Sequence, residues 1–193
     1  MSLVCKNLTN NYLGTPKLLC KYTKIVIRNR KSYFCGMKIT LLAIGKTENN
    51  YLKEGIEVYV SRLSHYVKFE IIEVLSPKTM KKLNPDQLKD AEGKILLKYF
   101  GDADLVVLLD ENGKGHTSEG FAAWLQKTMN AGTKHLIFVV GGAFGFSDEV
   151  YAKSNGRISL SPMTFSHQMV RLFFVEQLYR AHTILKNEPY HNS

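Results

Sequence analysis

The chain has 193 residues, of which 45% are hydrophobic and 22% are charged, a composition typical of one ordinary globular domain. A chain of this length can bury a sizeable core without disulfides or a structural metal. No apolar run approaches the roughly 20 residues that span a bilayer, so we do not expect an integral membrane protein.

The net charge of +9 is unevenly distributed along the chain. Residues 1–36 contain seven Lys and Arg residues and no Asp or Glu, which leaves 19 basic residues against 17 acidic ones in the remainder. The high isoelectric point is therefore weak evidence that the folded domain binds nucleic acid.

All three cysteines, Cys5, Cys20 and Cys35, lie in the same first segment, and their spacing matches no metal-ligand pattern. A reducing cytoplasm is the simplest interpretation. We interpret residues 1–36 as a basic extension that is poorly ordered or results from a misplaced start codon, with Met37 as the natural start. An organelle transit peptide is the alternative. Residues 37–193 then form a single domain.

From Met37 onward, strand-like and helix-like segments alternate. Apolar patterns predict strands over 37–44, 69–75, 105–109, 135–140 and 158–160. They predict helices over 48–63, 86–100, 118–129, 147–153 and 165–186, with Ser118 as the N-cap of the third. The repeated β–α order predicts one α/β domain with a mostly parallel sheet and helices on both faces.

Ligands of open parallel sheets bind beyond the carboxyl ends of the strands, and three such ends are distinctive here: 109–113, 141–145 and 160–165. The glycines Gly141, Gly142 and Gly145 do not have the G-x-G-x-x-G spacing, so alone they indicate a tight turn. Glycine nevertheless lets a ligand approach the backbone closely. Near residue 45 a P-loop is excluded, because Thr40 stands where that motif needs glycine.

The helix predicted over 165–186 is apolar on more than one side, so it must be covered on more than one side. It is either the central helix of the fold or a helix that meets a second subunit, and we favour the dimer. Arg171 and Glu176 are five residues apart and poorly placed to pair with each other. They either tie the helix to its neighbours as an ion-pair network or contact RNA.

No metal site is predicted, because His116, Glu119, His135 and Asp148 do not have a ligand spacing typical of metal centres. No Ser-His-Asp or Cys-His arrangement is evident either.

Several short motifs occur in one order and spacing: MKITLLAIGK at 37–46, VVGG at 139–142, LSPMTF at 160–165, HQMVR at 167–171, EQLYRA at 176–181 and PYH at 189–191. Together they closely resemble the ribosomal RNA large subunit methyltransferase H family of the SPOUT class. The resemblance covers Met37 to the C-terminus, and residues 1–36 lie outside it.

The resemblance implies an α/β fold with a C-terminal trefoil knot, which is a rare exception to the rule that chains do not thread. It implies a homodimer that uses S-adenosylmethionine (SAM) and acts in the cytoplasm. The implied reaction is methylation of N3 of a pseudouridine in helix 69 of 23S rRNA, on the assembled large subunit or 70S ribosome.

Matched to this sequence, the resemblance implies these SAM-binding residues: Leu109, Gly141, Leu160, Ser161, Pro162, Met163, Thr164 and Phe165. The catalytic candidates are His167, Arg171, Tyr190 and His191. Either histidine could accept the proton from N3, and Tyr190 and Arg171 could place the base or a phosphate. The alternative function is a non-catalytic RNA- or ribosome-binding factor on the same fold, which would not bind SAM.

Overall fold

The computed structural model describes residues 22–25, 36–77, 80 and 82–191. The prediction of a basic extension over 1–36 and its three cysteines therefore falls mostly outside the described residues. Within the described ranges, no helix is long and apolar enough to cross a membrane.

The described strands form one six-stranded sheet: β1 Tyr22–Ile25, β2 Lys38–Ile44, β3 Lys68–Val74, β4 Leu105–Gly115, β5 His135–Val140 and β6 Gly156–Ser159. Their order across the sheet is β1-β3-β2-β5-β4-β6. The edge strand β1 runs antiparallel to β3, and all other neighbouring pairs are parallel. The prediction of a mostly parallel sheet is confirmed.

Helices cover both faces of the sheet: α1 Asn50–Leu63, α2 Pro85–Leu96, α3 Ser118–Asn130, α4 Asp148–Lys153 and α5 Met169–Leu185, with a 3-10 helix over Leu97–Asp102. Successive residues of a strand point to opposite faces. Leu41 accordingly packs in the core beneath α1, α3 and α5, while Leu42 packs in the core beneath α2 and α4. The α/β prediction with helices on both faces is confirmed.

Local signals explain where two helices begin. Pro85 opens α2, and Asn84 and Gln87 form a capping box in which each side chain accepts from the other residue's backbone N–H. The N-cap of α3 is Thr117, whose hydroxyl accepts from Gly120 N–H at 3.0 Å. The prediction of Ser118 as this N-cap was wrong by one residue, because two neighbouring hydroxyl residues carry the same sequence signal.

Several predicted boundaries also differ from the structure. The last helix begins at Met169 instead of 165, because the segment before it lies across the carboxyl ends of the strands. Strand β6 is Gly156–Ser159 instead of 158–160, and β4 continues to Gly115. Two residues of β4, Leu109 and Lys114, both pair with Ile158, and the residues between them interrupt the ladder. Apolar periodicity cannot predict such an interruption.

Helix α5 is the central helix of its face, packed against both α1 and α3. Its buried residues include Phe174, Val175 and Leu178. The interpretation of this helix as the central helix of the fold therefore accounts for most of its apolar surface within one chain. Phe173 remains 36% exposed.

Candidate active site

The carboxyl end of the Leu105–Leu109 part of β4 and the carboxyl ends of β5 and β6 open into one cleft of about 620 Å³, which we call the strand-end cleft. These ends meet there because parallel strands terminate at the same edge of a sheet. Among its lining residues are eight that the sequence singled out: Leu109, Gly141, Leu160, Ser161, Met163, Thr164, Phe165 and His167. Pro162 lies in the same loop, is exposed, and does not line the cleft.

One wall of the cleft is the glycine turn, residues 141–145. Gly145 has a φ of +81°, and its N–H donates to the carbonyl of Gly142 at 3.3 Å. A β-carbon at Gly141 would lie 3.1 Å from Cε1 of Phe146. The turn is therefore tight, as its composition predicts, and it also presents bare backbone to the cleft, which a ligand can approach closely.

The opposite wall is the loop over residues 160–165. Ser161 organises it: its hydroxyl accepts from Met163 N–H at 2.9 Å, and its carbonyl accepts from the Ser159 hydroxyl at 2.8 Å. Met163 is 72% exposed, and the Phe165 ring lies 4.8 Å from that of Phe173. This wall combines an ordered backbone with exposed apolar side chains, as a site for a flat organic group requires.

Among the described residues that line the cleft there is no Lys or Arg, and the charged side chains are those of Asp110 and Glu111. Both follow directly after the Leu105–Leu109 part of β4. Asp110 accepts from the backbone N–H of Asn112 at 2.8 Å and from the Tyr151 hydroxyl at 2.6 Å. Burial, followed by the bond to Asp110, raises the pKa of Tyr151 to about 12. The cleft therefore favours a cationic ligand.

Tyr151 is a lining residue that sequence reasoning missed. It lies on α4, and no motif or periodicity distinguishes it from an ordinary helical tyrosine. Only the topology, which brings α4 beside the end of β4, puts its hydroxyl on Asp110.

His167 is the one catalytic candidate that lines the cleft. Burial lowers the pKa of His167, the nearby Arg171 guanidinium lowers it further, and Glu48 opposes the change. The imidazole is therefore neutral at pH 7 and can accept a proton.

Arg171 is fully buried beneath this region. Its guanidinium donates to the carbonyls of Ile44 at 2.6 Å and Gly45 at 3.1 Å, and it pairs with Glu73 at 3.1 Å. Its Nε donates to the carbonyl of His167 at 3.1 Å. Arg171 thus takes part in an Arg–Glu network that ties α5 to the ends of β2 and β3, which is one of the two roles considered from the sequence.

Tyr190 and His191 lie in a separate group, the C-terminal cluster, formed by Glu119, Glu176, Arg180, Tyr190 and His191. Glu176 accepts from Arg180 Nη2 at 2.6 Å and from the Tyr190 hydroxyl at 3.1 Å. His191 Nε2 lies 2.5 Å from Glu119 Oε1, and the Arg180 guanidinium lies over the Tyr190 ring at 4.8 Å.

The C-terminal cluster connects α3, α5 and the residues after α5, and none of its members lines the strand-end cleft of the same chain. Burial raises the pKa of Tyr190, and its hydrogen bond with Tyr59 and the charge of Glu176 raise it further. Tyr190 therefore stays protonated and acts as a hydrogen-bond donor, while Arg180 supplies a positive charge. Because Arg180 is paired with Glu176, the cluster offers polar groups of both signs rather than a surplus positive charge.

Among the described residues, no group of three or more His, Cys, Asp or Glu side chains is arranged to hold a metal ion.

Comparison with known proteins gives a consistent result. Residues 37–191 match the family model described as "Predicted SPOUT methyltransferase". The ribosomal RNA large subunit methyltransferase H of Christiangramia forsetii is 56% identical over 156 residues, which cover 81% of this chain and 99% of that protein. The protein of the same name from Cytophaga hutchinsonii is 53% identical, over 81% of this chain and all of that protein.

Among solved structures, a probable methylase family protein from Haemophilus influenzae Rd KW20 is similar at a TM-score of 0.48 and 12% identity, covering 82% of this chain and 72% of that one. The family match carries the assignment: the chain belongs to the SPOUT methyltransferases. More narrowly, its identity with the curated relatives puts it in the ribosomal RNA large subunit methyltransferase H family, as the sequence motifs predict. SPOUT membership also implies the C-terminal trefoil knot.

Proposed function

We propose that this methyltransferase uses SAM to methylate N3 of a pseudouridine in helix 69 of 23S rRNA on the assembled ribosome. The strand-end cleft is the observation that carries the proposal. It brings together seven of the eight residues that the family motifs assign to SAM. The relatives' name supports an rRNA substrate, and the base and helix rest on the motif resemblance.

The chemistry of the cleft fits SAM. The sulfonium and ammonium groups of SAM outweigh its carboxylate, and the charged side chains that line the cleft are Asp110 and Glu111. The bare backbone of the glycine turn leaves room for a flat base and a ribose to approach. When bound, SAM supplies a methyl group made electrophilic by its sulfonium, without help from a metal.

The protein's own contribution is orientation and proton removal. The two walls of the cleft hold the reacting groups in line, and orientation of this kind can supply several kcal/mol. N3 of the target base must lose a proton, and His167 is the candidate base in the cleft because its imidazole is neutral at pH 7. Arg171 acts as a positioning residue through the His167 carbonyl.

Tyr190 and His191 are proposed to act on the substrate side. They do not line the cleft of their own chain, so a cleft supplied by a second subunit is the proposed place where they meet the target base. We therefore propose a homodimer in which the C-terminal cluster of one subunit faces the strand-end cleft of the other. The exposed rings of Phe165 and Phe173 beside the cleft are consistent with such a contact.

The target is proposed to be recognised mainly by the shape of the ribosome, because the domain after residue 36 carries a net charge of only +2 (19 basic against 17 acidic residues). Naked RNA should then bind weakly and with a shallow salt dependence. Steeply salt-dependent, tight binding to naked 23S rRNA would contradict this part of the proposal.

Two measurements test the function. Calorimetric titration with SAM and with S-adenosylhomocysteine (SAH) should show binding, and mass spectrometry of 23S rRNA after incubation with unmodified 70S ribosomes should show one added methyl group on the pseudouridine.

A matched pair of variants localises the site. Gly141→Ala crowds Phe146 and should weaken SAM binding, whereas Gly101→Ala has open space around it and should not.

Absence of SAM and SAH binding in the wild type would favour the non-catalytic ribosome-binding factor. Binding of SAM with methylation of a different nucleotide would keep the enzyme and change its target.

A further inference from the structure

A buried carboxyl lies directly behind the glycine turn. Glu92, on α2, is 7% exposed and does not line the strand-end cleft, whereas Gly142, in the turn, does. The Ser76 hydroxyl donates to Glu92 Oε1 at 3.1 Å. Nothing in the chemistry proposed above uses this group.

Glu92 occupies the space that a side chain at position 142 would fill. A β-carbon added at Gly142 would lie 2.9 Å from Cδ and 3.0 Å from Oε1 of Glu92, and closer still to Oε2. The carboxyl therefore rests against the bare α-carbon of the turn, on the side away from the cleft. Any shift of Gly142 toward α2 would collide with it.

The neighbouring residue on α2 makes a second close approach to the same segment. A β-carbon at Gly93 would overlap the Ser147 hydroxyl and would lie 3.2 Å from Cγ2 of Val150. Helix α2 thus meets the chain at Gly142, which accepts the turn's hydrogen bond, and again at Ser147, two residues beyond the donor Gly145. These two contacts limit how closely the glycine turn can approach α2.

The electrostatic setting of Glu92 is unusual for a merely structural residue. Among the residues that the structure describes, none forms an ion pair with it. Burial raises the pKa of Glu92, and the Ser76 hydrogen bond only partly opposes this. An apolar side chain of similar size would fill the space at a lower desolvation cost. What a polar end adds is the Ser76 hydrogen bond, which fixes where the end of the side chain lies and which an amide oxygen could also accept.

We propose that Glu92 is a positioning residue for the cofactor, whose carboxyl supports the glycine turn from behind and holds Gly142 at the distance that SAM binding requires. This inference rests on the proposed function, since it takes the strand-end cleft to be the SAM site. Glu92 itself does not touch the cofactor.

The test shortens the side chain at position 92 and adds a methyl group at position 142, separately and together. SAM and SAH affinities are measured by calorimetry, KM for SAM and kcat by methylation of 70S ribosomes, and folding by thermal unfolding. The variants are Glu92→Gln, Glu92→Ala, Gly142→Ala and the double variant Glu92→Ala with Gly142→Ala. Gly101→Ala serves as the control for adding a methyl group in open space.

Glu92→Gln preserves the shape of the side chain, so SAM affinity should stay within about twofold of the wild type. Glu92→Ala removes the support and should weaken SAM binding about tenfold, raising KM without lowering kcat at saturating SAM. Gly142→Ala forces a methyl group against Glu92 and should weaken binding by about tenfold or more. Because no positive φ is required at 142, alanine there is strained only by that contact.

The double variant decides the matter. With Glu92 shortened, the methyl group at 142 fills part of the vacated space, so the double variant should bind SAM more tightly than either single variant. A purely structural role for Glu92 would lower the unfolding temperature without this rescue. If Glu92→Ala does not fold, Glu92→Asp, which withdraws the carboxyl by one methylene, takes its place with the same expectations.

Wild-type SAM affinity in Glu92→Ala, or a double variant no better than its parents, would overturn the role of Glu92 and leave the proposed function intact. Failure of the wild type itself to bind SAM and SAH would instead overturn the proposed function, and this inference with it.

Discussion

The strand-end cleft and the C-terminal cluster are built from different parts of the chain. The cleft is formed largely by backbone at three strand ends, with few charged side chains. The C-terminal cluster is formed by charged and hydroxyl side chains from two helices and the segment after α5. A site built from backbone lets a small molecule approach closely, whereas the polar groups of the cluster largely satisfy one another. The difference fits the proposed division between cofactor binding in the cleft and substrate contact at the cluster.

Arg171 belongs to neither region but lies on the helix that joins them. It is buried, it pairs with Glu73, and it binds the His167 carbonyl at the edge of the cleft. The buried Arg171–Glu73 pair thus fixes α5 between the strand-end cleft, which is the proposed cofactor site, and the C-terminal cluster, which is proposed to face the substrate.

The largest expected effect is on stability. Arg171→Ala leaves the Glu73 carboxylate buried without its cation, which should lower the free energy of unfolding by about 3–5 kcal/mol, measured by urea denaturation. Arg62, which lies over the Tyr59 and Tyr179 rings, is the matched control, and Arg62→Ala should cost no more than about 1 kcal/mol. Equal losses in the two variants would mean that the Arg171–Glu73 pair does not hold the fold together.

The next effect separates the cluster from the cleft. His191→Ala should lower turnover on 70S ribosomes by about 10²-fold, the usual contribution of a group that moves or positions a proton. SAM affinity should be unchanged, because His191 does not line the cleft of its own chain. The exposed His65 provides the control variant, His65→Ala. Unchanged turnover in His191→Ala would remove this residue from the catalytic candidates.

The smallest effect tests the charge of the cleft. Asp110→Asn keeps an oxygen that can accept from Tyr151 but removes the negative charge. SAM affinity should fall by about threefold to tenfold, as expected for a partly screened ion pair, while affinity for SAH, which lacks the sulfonium charge, should change less. Glu149→Gln, outside the cleft on α4, should alter neither. Equal losses for SAM and SAH would show that Asp110 acts on a group the two ligands share, such as the ammonium, and not on the sulfonium.

Much of the site could be predicted because its determinants are local. The apolar run over His135–Val140 matches β5 without error, and the three distinctive strand ends converge because parallel topology brings carboxyl ends to one edge. The boundaries of α5 and the N-cap of α3 were less accurate. The segment before Met169 has helical periodicity but lies across the strand ends, and Thr117 competes with Ser118 as a cap.

The sequence by itself determined the α/β class, the family and the strand ends that line the cleft, because these depend on periodicity and on motifs of neighbouring residues. Only the tertiary structure decided the partners of the polar groups. Arg171 pairs with a glutamate 98 positions away, and Gly142 packs on a carboxyl from α2. Tyr190 and His191 lie outside the cleft of their own chain. Such pairings depend on which elements the sheet order brings together, and no local pattern in the chain records that order.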